Sequence, residues 1–225
     1  MRAAASDQGV EGGVGVRVAV LANGEWDVDW GRAELALVDY LVCADGGANA
    51  AIQSGRLPDA LVGDLDSITQ ESLAICEQAG IEVLRYPRQK DETDLELALA
   101  RAADIAQPGE DILLYGGTGG RIDHFLGNLA LLLGYARQGR RLRLKDPQHE
   151  MWVLQGRESI HGEQNKELSL IVLSETAVVT TQGLYYPLDQ ATLVQHSPRS
   201  VSNIFIEEDA VIEVHSGWVL VVLLK

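Results

Sequence analysis

The sequence predicts an α/β protein in two parts, a mostly parallel α/β domain with helices on both faces of its sheet, followed by an all-β sandwich domain. Three observations predict it. Apolar strand-like runs alternate with helix-like segments up to about residue 147, short β-rich runs separated by turns take over from 148, and four clusters of glycine and acid each fall just behind a predicted strand in the first part.

In chain order, residues 1–15 contain Ala and Gly but no basic region followed by a long apolar core, and are expected to be a flexible tail rather than a signal peptide. Val16 to Ala22 reads as a strand running into the Asn23-Gly24 turn, and Tyr40 to Ala44 repeats the pattern before Asp45-Gly46-Gly47. Helices are expected over Arg32–Val38 and Ala48–Ser54, and Pro58 to Val62 gives a third strand before Gly63. Helix Gln70–Ala79, strand Glu82–Tyr86, helix Leu95–Ala106, strand Asp111–Tyr115 and helix Asp123–Gln138 continue the alternation. The basic stretch from Arg137 to Arg143 reads as a solvated helix end. Beyond Pro147, strands are expected at Met151–Leu154, Leu168–Leu173, Ala177–Thr181, Ala191–Val194, Ala210–Val214 and Trp218–Leu224. The domain boundaries expected are therefore 16–147 and 148–225.

Composition narrows the function classes. With 225 residues, 46% of them hydrophobic, the chain can bury a sizeable core. A formal net charge of −15 argues against a nucleic-acid partner, since phosphate backbones are gripped by clustered Lys and Arg. The same field favours a cationic co-substrate, and a bound anion would have to be met by metal, backbone amides and a few placed cations. The longest apolar run, Trp218 to Leu224, is far short of the roughly 20 residues of a membrane-spanning helix, so no membrane partner is expected. Cys43 and Cys76 lie in apolar surroundings without metal-ligand spacing, which reads as two reduced, buried thiols in a cytoplasmic protein.

The four clusters carry the chemistry. In Gly63-Asp-Leu-Asp-Ser67, alternate residues of an extended loop project to one side, so Asp64 and Asp66 can share one hard cation. Two other readings stand beside this one: a cap for the helix near Thr69, or the Asp-x-Asp of a haloacid-dehalogenase-like phosphatase or sugar-nucleotide transferase, neither of which accounts for the other clusters. Asp91-Glu-Thr-Asp94 opens a helix that Thr93 can cap, yet holds more acids than a cap uses, with Arg88 and Lys90 beside them to meet phosphate oxygens. Gly116-Gly-Thr-Gly-Gly120 offers free amides to an anion and is followed by Arg121, whose guanidinium can fork onto phosphate; Asp123 and His124 open the next helix, Asp123 being also a candidate N-cap. Asp45-Gly46-Gly47-Ala48-Asn49 is a looser signal, readable also as a tight turn. Ligands of parallel sheets sit outside the carboxyl ends of the strands, so the clusters should converge into one nucleotide site.

Taken together, Asn23-Gly24, Ala44-Asp-Gly-Gly-Ala-Asn49, Gly63-Asp-Leu-Asp-Ser67, Lys90-Asp-Glu-Thr-Asp94, Gly116 to His124, Gly183-Leu-Tyr-Tyr-Pro-Leu188 and Ser200-Val-Ser-Asn203 make the chain resemble the thiamine pyrophosphokinases over most of its length. The resemblance implies a nucleotide-binding α/β domain joined to a β-sandwich, transfer of pyrophosphate from ATP to thiamine giving thiamine diphosphate and AMP, and a homodimer with active sites at the subunit interface. It implies that Asp64, Asp66 and Asp94 handle Mg2+ and phosphates, with Asp91 and Lys90 close by, and that Arg121 and Asp123 are active-site polar residues. Asp45, Gly46, Asn49, Gly116, Gly117, Gly119, Gly120 and His124 fall in the matching nucleotide motifs. Ser202 and Asn203 match the segment that approaches thiamine, and Trp218 is an aromatic candidate near it, equally readable as a core residue. The chain departs from the bacterial pattern at Leu65, where Phe is usual, and at Ile204, where an acid commonly follows Ser-Asn.

Overall fold

The computed structural model describes residues 16–225, so the expected tail at 1–15 lies outside the described residues. The first half alternates strand and helix: β1 (Val18–Leu21), α1 (Val28–Leu35), β2 (Tyr40–Ala44), α2 (Gly47–Gln53), β3 (Ala60–Gly63), α3 (Gln70–Gln78), β4 (Glu82–Arg85), α4 (Asp94–Ile105), β5 (Asp111–Tyr115), α5 (Ile122–Arg137) and β6 (Arg141–Lys145). Strands β7 (His149–His161), β8 (Glu167–Val172), β9 (Thr176–Gln182), β10 (Ala191–Val194), β11 (Asn203–Ile204) and β12 (Asp209–Leu224) follow.

Strands β1 to β6 run parallel in the order β4-β3-β2-β1-β5-β6. Both faces of such strands are covered, so they read as continuous apolar runs, and β1, β3 and most of β2 are fully buried. Alternate side chains serve opposite faces. Val18, Val20, Val42, Val62 and Leu114 pack with Leu99 and Ala102 of α4 and Leu132 of α5. Ala19, Leu21, Leu41, Cys43 and Leu61 pack with Leu35 of α1, Ala48 and Ala51 of α2 and the helix carrying Cys76. Both cysteines are free and buried, and burial pushes the Cys43 thiol up out of reach of ionisation at neutral pH.

Chain direction reverses where the sheet leaves β6. Strand β7 pairs antiparallel with it, Leu144 opposite Met151, so one twelve-stranded mixed sheet runs through the whole chain. Residues from Trp152 to Val221 nevertheless form an apolar cluster of their own. Strand β12 organises this half: it pairs with β7 along nearly its whole length, with β9 over Val211–Ser216 and with β8 over Val219–Leu223.

Four expectations are corrected. The first helix begins at Val28 rather than Arg32, because Asp27 caps it by accepting from the N–H groups of Asp29 and Trp30. The stretch from Arg137 to Arg143 is a solvated helix end only at its start: the exposed Arg137 closes α5, whereas Arg141 and Arg143 belong to β6, whose alternation places Leu142 and Leu144 inward. Arg143, only 15% exposed, ties together Asp111 (2.7 Å), Glu150 (3.1 Å) and Glu158 (2.6 Å) while stacking 4.2 Å above the Trp152 ring. The runs Ala210–Val214 and Trp218–Leu224 are one strand, with an irregularity in register between Val214 and Val219 where two strands were expected. Asp123 is not the N-cap of α5; Arg121 occupies that position and Asp123 lies in the first turn.

Candidate active site

The order of the parallel strands reverses between β1 and β5, and the loops leaving that switch point diverge to open a cleft. It encloses about 1110 Å³ and is lined from both sides, by the loops after β1, β2, β3 and β4 and by the segment from Gly116 into α5.

One wall is acidic. Carboxylate oxygens of Asp45, Asp64 and Asp66 all lie within 4.8 Å of one another. Asp45 is the buried member, 6% exposed, and its carboxylate accepts from Ser67 N (3.0 Å) and Ile68 N (3.2 Å). Burial raises its pKa and the hydrogen bonds from Ser67 and Ile68 oppose that. Asp64 accepts from Asp66 N at 3.1 Å across Leu65, which has the left-handed φ of 63°, so the two acids are turned by a tight local bend. Thr69, not either acid, caps α3 through Ser72 N, which removes the capping reading of Asp-x-Asp-Ser. Asn49 braces the same loop, donating to Ser67 O and accepting from Thr69 N.

Asp94 closes this wall. Gly63 has a φ of 149°, and a Cβ there would lie 3.0 Å from Asp94 Cγ and 3.1 Å from Asp45 Cβ, so a side chain at this position would crowd the acids apart. Asp94 pairs with Lys90, Nζ to Oδ1 at 2.9 Å, and that contact raises the lysine pKa. Thr93 and Glu96 form a capping box that starts α4 here. Arg88, exposed on the preceding loop, reaches Asp66 Oδ2 at 3.1 Å. Three hard carboxylate oxygens so close, with one of them buried, suit a hard cation such as Mg2+.

The opposite wall is the glycine loop. Gly24 packs so closely against it that a Cβ would sit 2.2 Å from Gly116 O and 2.7 Å from Thr118 O. Asn128 of α5 donates to Gly117 O at 2.8 Å, and Glu25 accepts from Gly120 N at 3.0 Å. Arg121 and Asp123 follow as an exposed two-pronged ion pair, its Nε–Oδ1 arm 3.2 Å long, which holds Asp123 at about 2. His124 also lines the cleft.

Of the residues singled out in the sequence, Asp45, Asp64, Asp66, Lys90, Asp94, Gly116, Gly117, Gly119, Gly120, Arg121, Asp123 and His124 meet in this cleft. Gly46 and Asn49 lie behind it, Gly46 against the Asn23 side chain. Asp91 is exposed and outside the lining. Ser202, Asn203 and Trp218 are not in the cleft of their own chain; Asn203 is buried, and Trp218 is half-buried on β12 with its N–H bonded to Ser174 Oγ. Sequence reasoning missed Glu25 and Asn128, which act through the glycine loop, and did not place Arg88 among the site residues. The one available signal was position: Glu25 follows Asn23-Gly24 directly behind β1.

Acids facing a glycine loop across the switch point of a parallel sheet are the arrangement of a nucleotide-dependent phosphoryl-transfer enzyme. Two family models match the chain, the thiamin pyrophosphokinase catalytic domain over residues 33–144 and the thiamin pyrophosphokinase vitamin B1 binding domain over residues 157–219. The chain belongs to the thiamine pyrophosphokinase family. It is 33% identical to thiamine pyrophosphokinase of Bacillus subtilis (strain 168) over 181 residues, covering 79% of this chain and 84% of that protein. With thiamine pyrophosphokinase 1 of Oryza sativa subsp. japonica it shares 30% identity over 221 residues, 87% of this chain and 81% of the relative. The crystal structure of the Bacillus subtilis enzyme superposes with a TM-score of 0.81 at 27% identity, covering 93% of this chain and 99% of that one.

Proposed function

We infer that the protein is a thiamine diphosphokinase, transferring the β,γ-pyrophosphoryl group of ATP to the hydroxyethyl oxygen of thiamine to give thiamine diphosphate and AMP. The observation that carries this is the facing of Asp45, Asp64 and Asp66 by the Gly116–Gly120 loop across one cleft, in a chain whose two halves match the two models of one enzyme family. In the reaction the thiamine oxygen forms a bond to the β-phosphorus, the bond from that phosphorus to the α,β-bridging oxygen breaks, and AMP departs with the electron pair.

Positioning and charge compensation supply most of the catalysis in such a transfer. Asp64 and Asp66, with Asp45 and Asp94 as the neighbouring acids, would hold Mg2+, which supplies neutralisation of phosphate charge when bound. The glycine loop and the side chains of Arg88 and Arg121 line the same cleft, with the Gly120 N–H taken by Glu25, and Lys90 orients Asp94. The hydroxyl proton needs an acceptor. Asp123 is poorly suited, since its pairing with Arg121 holds its carboxyl at about 2, which leaves Asp94 and His124 as the groups positioned for it.

The remaining organisation follows the same reading. Residues 16–147 form the ATP-binding domain and 148–225 a thiamine-binding β-sandwich, a division supported by the separate apolar cluster from Trp152 to Val221 and by the two layers that the bend of β12 between β8 and β9 would create. The enzyme acts as a homodimer, because Ser202 and Asn203 lie outside the cleft of their own chain and a second copy would bring such a segment to it. A cytoplasmic location accords with the two free, buried cysteines.

The test is AMP formation from ATP and Mg2+ with and without thiamine, the thiamine product being identified by mass. Thiamine-dependent AMP release with thiamine diphosphate is expected. ADP with thiamine monophosphate would mean transfer of the wrong phosphoryl group, and saturable thiamine binding without turnover would make the protein a sensor.

A further inference from the structure

The loop between β4 and α4 sends two cations to the acidic wall and holds them in opposite ways. The Lys90 side chain is 10% exposed, and its Nζ donates to Pro87 O at 3.2 Å while it pairs with Asp94, so it is built into the wall. Arg88 is 81% exposed, and its one ion pair among the described residues joins Nη2 to Asp66 Oδ2 at 3.1 Å. Asp66 is the most exposed member of its acid cluster. Its other oxygen, Oδ1, accepts from Ser67 Oγ at 3.0 Å, so guanidinium and hydroxyl between them engage the whole carboxylate. Asp45, Asp64, Asp66 and Asp94 bring four negative charges to the wall, and Lys90 and Arg88 answer two of them. The two left over are what one divalent ion neutralises. A second cation arriving on Asp66 would meet the charge of Arg88 only a few ångströms away.

We propose that Arg88 is a displaceable counter-ion: it pairs with Asp66 in the metal-free protein, releases that acid to Mg2+, and then binds the phosphates of the nucleotide. The inference rests on the nucleotide reading of the cleft above, and adds a residue whose role changes as the site fills. An exposed ion pair of this kind is weak, so it gives way to a ligand that binds the acid better. The guanidinium fork fits phosphate oxygens as well as it fits a carboxylate, and Arg88 lines the same cleft as the glycine loop. The exchange asks only for rotation of one long, exposed side chain, whereas Lys90 stays with Asp94 throughout. Metal alone has to displace Arg88 without giving it a new partner; metal together with nucleotide supplies one. Arg88 therefore opposes binding of the free ion and favours ion and nucleotide together, which makes it a source of coupling between the two.

The test compares the full-length protein with its Arg88→Ala, Arg88→Gln and Arg88→Lys variants. It reads the Kd of Mn2+ alone, a carboxylate-seeking stand-in for Mg2+, from the free-ion EPR signal without nucleotide. It also reads KM for ATP and for thiamine at saturating Mg2+, and the thermal midpoint. Arg88→Ala and Arg88→Gln are expected to bind Mn2+ alone about threefold more tightly than wild type, because Asp66 is freed. The same two variants are expected to raise KM for ATP about tenfold with KM for thiamine unchanged. Arg88→Lys, which keeps the charge but not the fork, should leave Mn2+ binding near wild type and recover part of the loss in KM for ATP. Mn2+ affinity unchanged or weakened in Arg88→Ala overturns the displacement. Tighter Mn2+ binding with KM for ATP unchanged overturns the transfer to phosphate. A lowered thermal midpoint with both KM values raised overturns the proposal in favour of a structural contact. Wild-type protein that releases no AMP sinks the reading on which the proposal rests, while the Mn2+ affinities still decide the exchange at Asp66.

Discussion

Gly120 donates its backbone N–H to the Glu25 carboxylate at 3.0 Å, joining two loops 95 positions apart in the chain. The same side chain fills the space beside Gly119, where a Cβ would come within 2.6 Å of it, and Glu25 N donates to Thr118 O. An acid at the proposed phosphate-binding loop works against the charge of the ligand. Its contribution is to hold the loop's shape before the ligand arrives. Glu25→Ala should raise KM for ATP about fivefold while leaving KM for thiamine unchanged, and Glu25→Gln, which keeps the acceptor oxygen, should restore most of the loss. Steady-state kinetics with each substrate varied separately checks this. A lower KM for ATP in Glu25→Ala would mean that charge repulsion outweighs the loop contact.

Asp66 carries little structural burden, since its side chain is exposed and its partners are the exposed Arg88 and the hydroxyl of its neighbour Ser67. Asp66→Asn is therefore expected to lower turnover by about a hundredfold or more while the thermal midpoint stays within a few degrees of wild type. Turnover near normal at saturating Mg2+ would remove Asp66 from the phosphate-handling acids.

Arg143 has the opposite balance. It is 15% exposed and is shared by three carboxylates that are themselves no more than 29% exposed. Arg143→Met preserves bulk over Trp152 but leaves Asp111, Glu150 and Glu158 without their common cation. A loss of about 3 kcal/mol in chemical denaturation is expected, because uncompensated charges remain partly buried. Normal stability would show that Arg141, which also reaches Asp111 and Glu158, suffices alone.

Glu34 gives the fold a pH dependence. Burial pushes its carboxyl up, but hydrogen bonds from Lys145 and Tyr115, both 2.8 Å, outweigh that and lower it below the ordinary value of 4.5. A carboxyl that is more acidic when folded stabilises fully above the ordinary value and loses its contribution as pH falls through the folded value. Glu34→Gln should thus be less stable than wild type at pH 7, with the gap narrowing below about 4.5. Denaturant titrations across pH 3 to 7 test the sign; a gap that widens in acid would refute it.

Much of the parallel half is legible because its strands are buried on both faces. Tyr40–Ala44 and Ile112–Tyr115 carry uninterrupted apolar runs, and their strands end where expected. Strand β6 is hidden for the opposite reason: Arg141 and Arg143 continue the basic run from Arg137 and mimic a helix end, while the acids that meet them, Asp111, Glu150 and Glu158, come from neighbouring strands. Likewise Ser216-Gly217 looks like a terminator, yet β7 pairs with β12 on both sides of it. At the site, the acids and glycines are legible as motifs because each lies in one short segment. That Asp45 joins Asp64 and Asp66, and that Glu25 serves the glycine loop, depends on adjacent strands and on loop crossings that local pattern does not encode.

Strand β12 is made after every strand it binds. Its partners β7, β8 and β9 all precede it in the chain, and the apolar cluster of the second half draws Ala210, Ile212, Val214, Val219 and Val221 from it. During synthesis the parallel sheet can therefore close on the ribosome while the second half stays open, its strands waiting for a central member still inside the exit tunnel. The cleft's own walls are complete well before that moment, so assembly of the catalytic half and assembly of the half that carries Ser202 and Asn203 become separate events in time, and chaperones would meet the chain chiefly in the interval between them.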